Sequence, residues 1–183
     1  MRVYIPATVP MLRTLVDDGR LSAVGDTAFA LTPALREHYA SGDAEELEYA
    51  ALREAALASL RLLATELDKD PDARPRRAVI AADVEGATHR PDLDAAVVRL
   101  AGPVPMKRIA AVHVDTAEAE NAVRAAAEVV DAADLGDPDA EFTLGDAEDH
   151  ELAWYAPQEL PFLLELMPEP PADSADSADS AGG

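Results

Sequence analysis

The longest helical pattern in the chain extends from Asp43 to Leu67. Over this range Gly and Pro are absent, and Ala and Leu, which are the strongest helix formers, predominate. The spacing of Asp43 and Glu46 is that of a capping box, in which Asp43 accepts a hydrogen bond from the Glu46 amide. Large apolar residues and one alanine recur at steps of three and four, in a stripe that consists of Tyr49, Leu52, Ala56, Leu60, Leu63 and Leu67. We therefore predict one long central helix at 44–67 with this stripe in the core.

Two nearly continuous apolar runs, at 77–84 and 108–114, are typical of strands that are buried on both faces of a sheet. Shorter apolar runs predict further strands at 2–5, 28–31, 95–100 and 152–156. With the helices that caps and periodicity predict between them, the element order is βαβααβββαβα. This order predicts an α/β fold in which a mixed β-sheet of about five to six strands is covered by helices.

Two details of this fold follow from short motifs. Residues 95–100 and 108–114 flank a Gly-Pro-Val-Pro turn, which favours pairing of the two strands as antiparallel neighbours. Asp115 and Glu118 repeat the capping-box spacing, so we expect Asp115 to cap the helix that follows.

The net charge of −21 over 183 residues is concentrated in two segments. Residues 131–151 contain nine acidic residues and no Lys or Arg, which predicts an acidic flexible loop at about 134–150. Residues 168–183 are rich in Pro and then repeat Ala-Asp-Ser, which predicts a disordered tail. The remaining sequence predicts a single α/β domain at 1–167.

Composition also excludes several classes of function. The largest basic cluster is Arg74, Arg76 and Arg77, so nucleic-acid binding through phosphate contacts is disfavoured. The absence of Cys excludes disulfides, thiolate catalysis and zinc sites with sulfur ligands. The chain lacks an apolar signal region and an apolar run of bilayer length, which predicts a cytoplasmic protein without membrane association. Glycine-rich phosphate or dinucleotide loops are absent, and the sequence identifies no cofactor.

The weak candidates for catalysis are Asp83, His113 and Asp115. Asp83 lies at the end of the predicted strand 77–84, and Asp115 directly follows the predicted strand 108–114. Ligands of α/β sheets bind at the carboxyl ends of strands. Two carboxylates there would hold Mg²⁺ or act as an acid and base pair, with His113 as a proton carrier. The alternatives are structural: a helix cap for Asp115, a strand end for Asp83 and a half-buried histidine.

The weak candidates for a ligand or protein interface are Trp154, Tyr155, Gln158 and Glu159. Aromatic residues are only 4% of this chain, and two of them are adjacent here. They would line a pocket or a protein contact. The structural alternative places one ring in the core and the other at the edge of the sheet.

Four stretches resemble a known family: Met1 to Pro6, Ala30 to Glu37 with Glu45 to Tyr49, Ala110 to Asp115, and Trp154 to Glu159. They are similar to an uncharacterised family of small actinobacterial proteins, a domain of unknown function. The similarity extends over about residues 1–166 and excludes the tail. It implies a soluble, cytoplasmic bacterial protein and no particular chemistry, since no activity is assigned to that family.

These observations favour a non-enzymatic binding or protein-interaction module, whose partner would be a second copy of the chain or another protein. The alternative is a small enzyme, with or without the assistance of a metal ion, with its site at the strand ends near Asp83, His113 and Asp115. The two hypotheses differ in geometry, because the enzyme requires these three residues to meet in one concave pocket.

Overall fold

The computed structural model describes residues 1–39 and 41–167. The predicted disordered tail lies outside these residues. The strands are β1 (Arg2–Ala7), β2 (Arg20–Leu21), β3 (Thr27–Phe29), β4 (Ala78–Asp83), β5 (Thr88–His89), β6 (Val97–Arg99), β7 (Val104–Pro105), β8 (Ile109–Val114) and β9 (Ala153–Tyr155). The helices are α1 (Val9–Asp18), α2 (Pro33–His38), α3 (Ala44–Lys69), α4 (Glu120–Asp134), α5 (Pro138–Glu148) and α6 (Leu160–Glu165).

The predicted α/β fold class with one long helix is confirmed, but the sheet differs in detail. It has seven strands in the order β5-β6-β3-β1-β4-β8-β9, and a separate ribbon pairs β2 with β7. All pairings in the described part of the chain are antiparallel, whereas we predicted a mixed sheet of five to six strands. The additional strands β2, β5 and β7 have two residues each, too few to show an alternating pattern.

Two connections explain why the sheet is antiparallel. Strands β3 and β4 run in the same direction and are joined through α2 and α3, but β1 lies between them and is antiparallel to both. Strands β8 and β9 are joined by two helices, α4 and α5. These helices return the chain to the end of the sheet at which β8 finishes, so β9 pairs antiparallel with β8. The predicted pairing of 95–100 with 108–114 is wrong, because β6 pairs with β3 and β5.

The segment predicted as a flexible loop at 134–150 instead contains α5. Asp137 caps this helix and accepts hydrogen bonds from the amides of Asp139 (2.9 Å) and Ala140 (3.3 Å), and Pro138 is at its first position. Acidic residues in the first turn interact favourably with the helix dipole. Acidity therefore stabilises the start of this helix, although the same acidity led to the prediction of a loop.

Helices pack on both faces of the sheet. On the first face Val3, Ile5 and Ile80 share a core with apolar side chains of α1 and α6. On the second face Tyr4 and Val79 share a core with α2 and α3. Farther along α3, Leu60 and Leu63 pack against α4 and α5 in a third core, which also contains Val123, Val130 and Ala147. Helix α3 therefore contacts the sheet and the α4–α5 pair.

The cap of α3 is as predicted, but part of its apolar stripe is not. Asp43 accepts a hydrogen bond from the Glu46 amide at 2.9 Å, and Leu60 and Leu63 are buried. Tyr49, which we placed in the core, is 49% exposed. The buried positions in the first half of the helix are Leu47, Ala51, Ala55 and Ala56. Tyr49 lies about 200° around the helix from Leu47 and from Ala51.

A single buried hydroxyl connects α3 to the two central strands. Ser59 donates a hydrogen bond to the carbonyl of Ala7 at 2.7 Å and accepts one from the amide of Ala78 at 3.0 Å. Ala7 and Ala78 face each other at the end of the β1–β4 pair. The serine is fully buried, so its two hydrogen bonds fix the position of α3 relative to β1 and β4.

Candidate functional site

Asp83 and Asp115, which the enzyme hypothesis required to lie in one pocket, lie at opposite ends of the β4–β8 strand pair. Asp83 ends β4, and Asp115 directly follows β8. The two strands pair antiparallel, with Ala78 opposite Val114, so their carboxyl ends point in opposite directions. The predicted site would have required a parallel pair.

Asp115 forms a buried ion pair with Arg77, the residue before β4. Its carboxylate accepts hydrogen bonds from the Arg77 backbone amide, Nε and Nη2, each at 2.8 Å. The side chains are 0% and 5% exposed. Arg77 Nη2 also donates to the carbonyls of Ala147 (3.0 Å) and His150 (2.8 Å), near the end of α5. The predicted helix-capping role of Asp115 is wrong, since its carboxylate joins the sheet to α5 through Arg77.

Asp83 forms an ion pair with Arg2 on the neighbouring strand β1. Arg2 donates from Nε at 2.8 Å and from Nη2 at 3.1 Å to the two carboxylate oxygens. These hydrogen bonds lower the pKa of the Asp83 carboxyl. Both side chains are at the surface, and neither lines the cleft described below.

His113 lies on β8, on the face of the sheet that α3 covers. Its register partners are Val79 on β4 and Trp154 on β9. The side chain is half-buried, and burial lowers the pKa of His113 below its ordinary value, with a further contribution from the charge of Arg2. The imidazole is therefore neutral at neutral pH.

A cleft of about 640 Å³ opens between α3 and the β8–β9 edge of the sheet. Its lining consists of Tyr39, side chains of α3 between Glu46 and Leu60, Arg77, His113, and side chains between Leu144 and Trp154. We refer to this space as the α3–β9 cleft. Its volume is in the range of pockets that bind small organic molecules.

Three aromatic rings line the α3–β9 cleft and remain partly exposed. Trp154 is 60% exposed, Tyr49 is 49% and Tyr39 is 45%. They come from β9, α3 and the residue after α2, which are distant in sequence. Large rings in a folded domain are mostly buried, so three exposed rings around one space provide an apolar surface for a ligand.

The charged groups of the α3–β9 cleft are mostly acidic. Its lining includes four carboxylates, those of Glu46, Glu54, Glu148 and Glu151, and the guanidinium of Arg53. Arg53 approaches Glu148 only to 4.0 Å. Burial raises the pKa of Glu54, and the carboxylates of Asp94 and Glu148 add to this increase. The cleft therefore holds negative charge that the protein only partly compensates.

Within residues 1–39 and 41–167, His, Asp and Glu side chains form no group of three or more that could hold a metal ion. In the same residues, none of the helices has both the length and the apolar character needed to cross a bilayer.

The chain matches a family of unknown function, DUF6912, over residues 1–164. The chain belongs to this family. The match begins before β1 and ends within α6, so it includes every residue that lines the α3–β9 cleft. The resemblance to a domain of unknown function is thus confirmed. No curated protein and no solved structure matches the chain.

The α3–β9 cleft contains some of the residues that the sequence suggested within this DUF6912 domain. Trp154 and His113 line it, and they are cross-strand neighbours. Tyr155 points to the opposite face and packs against the first core, while Gln158 and Glu159 lie in a 3₁₀ turn outside the cleft. The adjacent aromatic residues are therefore separated by the alternation of side chains along a strand.

The sequence analysis missed Tyr39, Tyr49 and Glu54 as cleft residues. Tyr49 fitted the apolar stripe of α3 and was assigned to the core. Leu47, Ala51 and Ala55 are spaced by four and form a second apolar row on the helix. This row would have indicated that Tyr49 lies outside the core. Tyr39 has no comparable signal, because its place depends on the turn between α2 and α3.

Proposed function

We propose that this chain is a non-enzymatic binding module and that the α3–β9 cleft is its ligand site. The observation that carries the proposal is the set of three partly exposed aromatic rings around a space of about 640 Å³. Concave spaces of this volume, lined by aromatic and aliphatic side chains together with polar groups that orient the ligand, are the usual form of a small-molecule site.

Binding is favoured over catalysis by the placement of the ionisable residues. Asp83 and Asp115 are each paired with an arginine at opposite edges of the sheet. The enzyme alternative required these aspartates to meet His113 in one pocket, so their separation supports the binding proposal.

Trp154 is the only tryptophan in the chain, so its fluorescence reports directly on the α3–β9 cleft. We expect that members of a small-molecule fragment library, with anionic, neutral and cationic compounds, change the emission of Trp154 in a saturable way. Isothermal calorimetry with the full chain would give the affinity and stoichiometry without relying on the fluorophore.

A variant that fills the cleft tests where the fragments bind. Ala50 is a half-buried cleft residue on α3, and Ala50→Leu is expected to weaken binding about tenfold for each 1.4 kcal/mol of contact that is lost. Ala44→Leu is the matched control, because Ala44 is exposed on the same helix and outside the cleft. Equal loss of binding in both variants, or a library without a single saturable ligand, would refute the proposal.

A further inference from the structure

We infer that the α3–β9 cleft selects small organic cations, such as an aryl or alkyl ammonium, over neutral and anionic molecules of the same shape. This inference rests on the proposed function and specifies the chemical class of its ligand. It follows from the arrangement of aromatic rings and charges in one cavity.

The aromatic rings supply the first part of the argument. Tyr39, Tyr49 and Trp154 present partly exposed rings to the same space. The face of an aromatic ring attracts a cation with about 0.5–2 kcal/mol, most strongly for Trp, and several rings around one space are the usual site for quaternary ammonium groups. An apolar substituent on the cation would contact the aliphatic lining supplied by Leu52 and Leu57.

The charge balance of the cleft supplies the second part. Arg77 is neutralised by Asp115, so the charges that remain are four carboxylates and one guanidinium, that of Arg53. This leaves three negative charges in excess at the cleft, which repel an anion and attract a cation. The net charge of −21 over the whole chain acts in the same direction.

Glu54 links the two parts. This carboxylate lines the cleft, is half-buried and lies near other acidic groups that raise its pKa. The charges of Arg61 and Arg53 only partly offset this effect, and Arg61 forms an ion pair with Asp134. A bound organic cation would compensate the Glu54 charge, which a neutral ligand cannot do.

The experiment compares three probes of nearly equal shape: phenyltrimethylammonium, its uncharged carbon isostere tert-butylbenzene, and benzenesulfonate. Affinities for the full chain are measured by calorimetry and by Trp154 emission. We expect the ammonium to bind about tenfold or more tightly than tert-butylbenzene, since a cation–π contribution of ~1.4 kcal/mol corresponds to a factor of ten. Benzenesulfonate is expected not to bind, and the ammonium affinity is expected to fall as the salt concentration rises.

Two variants with matched controls test the residues. Tyr49→Leu keeps apolar bulk but removes a ring, so it should weaken the ammonium several-fold and leave tert-butylbenzene unchanged; Phe142→Leu removes an exposed ring outside the cleft and should change neither. Glu54→Gln should likewise weaken only the ammonium. Glu45→Gln is its control, because Glu45 is exposed on the same helix, outside the cleft, and its substitution changes the net charge equally.

The outcomes separate this inference from the proposed function. Tight ammonium binding that Tyr49→Leu and Glu54→Gln weaken would support both. Equal or tighter binding of tert-butylbenzene or benzenesulfonate at the cleft would overturn the cation selectivity and leave the binding function intact. Ammonium binding that responds to Phe142→Leu or Glu45→Gln as strongly as to the cleft variants would also overturn it, and the absence of any fragment ligand would overturn both.

Discussion

Two arginine–aspartate pairs at opposite ends of β4 have the same contact geometry and different surroundings. In both pairs Nε of the arginine lies 2.8 Å from a carboxylate oxygen of the aspartate. The side chains of Arg77 and Asp115 are 5% and 0% exposed, whereas those of Arg2 and Asp83 are 40% and 55% exposed. We therefore expect burial, and not the length of the hydrogen bonds, to determine what each pair contributes to the free energy of unfolding.

Burial makes the Arg77–Asp115 pair sensitive to the loss of one partner. Two buried charges have lost their hydration, so removing one leaves the other without compensation. Arg77 also donates to the carbonyls of Ala147 and His150, which makes the pair a connection between the sheet and α5. The Arg2–Asp83 pair remains hydrated and is screened by salt.

The largest effect is expected for Asp115→Asn. The substitution keeps the shape of the side chain but leaves the Arg77 charge buried and unpaired, which costs about 3–5 kcal/mol in the free energy of unfolding. Urea denaturation followed by circular dichroism measures this loss. The double variant Arg77→Met/Asp115→Leu is the control, and it should recover much of the stability because both charges are removed. A loss below about 1 kcal/mol for Asp115→Asn would contradict the role of the buried pair.

Ser59→Ala is expected to have an intermediate effect near the same end of β4. The Ser59 hydroxyl accepts a hydrogen bond from the Ala78 amide and donates one to the Ala7 carbonyl. Leaving these buried polar groups without hydrogen bonds costs about 1–3 kcal/mol in the free energy of unfolding. Thr65→Ala on the exposed side of α3 is the control and should change stability by less than about 0.5 kcal/mol. Equal stability of the Ser59→Ala variant and the unsubstituted chain would show that water replaces the hydroxyl.

The smallest effect is expected for Asp83→Asn, about 0–1 kcal/mol at low salt and less at high salt. Because Arg2 lowers the pKa of Asp83, the pair contributes its full stability above the ordinary carboxyl pKa. That contribution is lost as the pH falls through the lowered value. Urea titrations should therefore give different free energies of unfolding for the Asp83→Asn variant and the unsubstituted chain at neutral pH, and equal values at acidic pH. A loss above about 2 kcal/mol at neutral pH would show that the Arg2–Asp83 pair behaves like a buried pair.

The elements that the sequence predicted are those determined by local pattern. Helix α3 has its cap at Asp43, and the apolar runs near 77–84 and 108–114 correspond to β4 and β8. Strand order was not predictable, because it depends on which connections contain two helices. Missing α5 concealed the reversal that brings β9 beside β8.

The candidate site was predictable only in part for a related reason. His113 and Trp154 were candidates because of their residue type, and their position opposite each other on β8 and β9 results from strand register, which the sequence does not reveal. Asp83 and Asp115 were expected together because the sheet was assumed to contain parallel strands. In the antiparallel sheet each aspartate instead pairs with an arginine: Asp83 with Arg2 on β1, and Asp115 with Arg77, the residue before β4.

The central position of β1 has a consequence for how the protein is made. Arg2 and Asp83, which pair across β1 and β4, are 81 residues apart, and β3 flanks β1 on its other side. On the ribosome, β1 (Arg2–Ala7) is synthesised before β4 (Ala78–Asp83), so it remains without one of its two neighbours while the residues between them are translated. Such non-local pairing slows folding and leaves apolar strand edges open to other chains in the meantime. Pairing of β4 with β1 still leaves the other edge of β4 open until β8 (Ile109–Val114) has been translated.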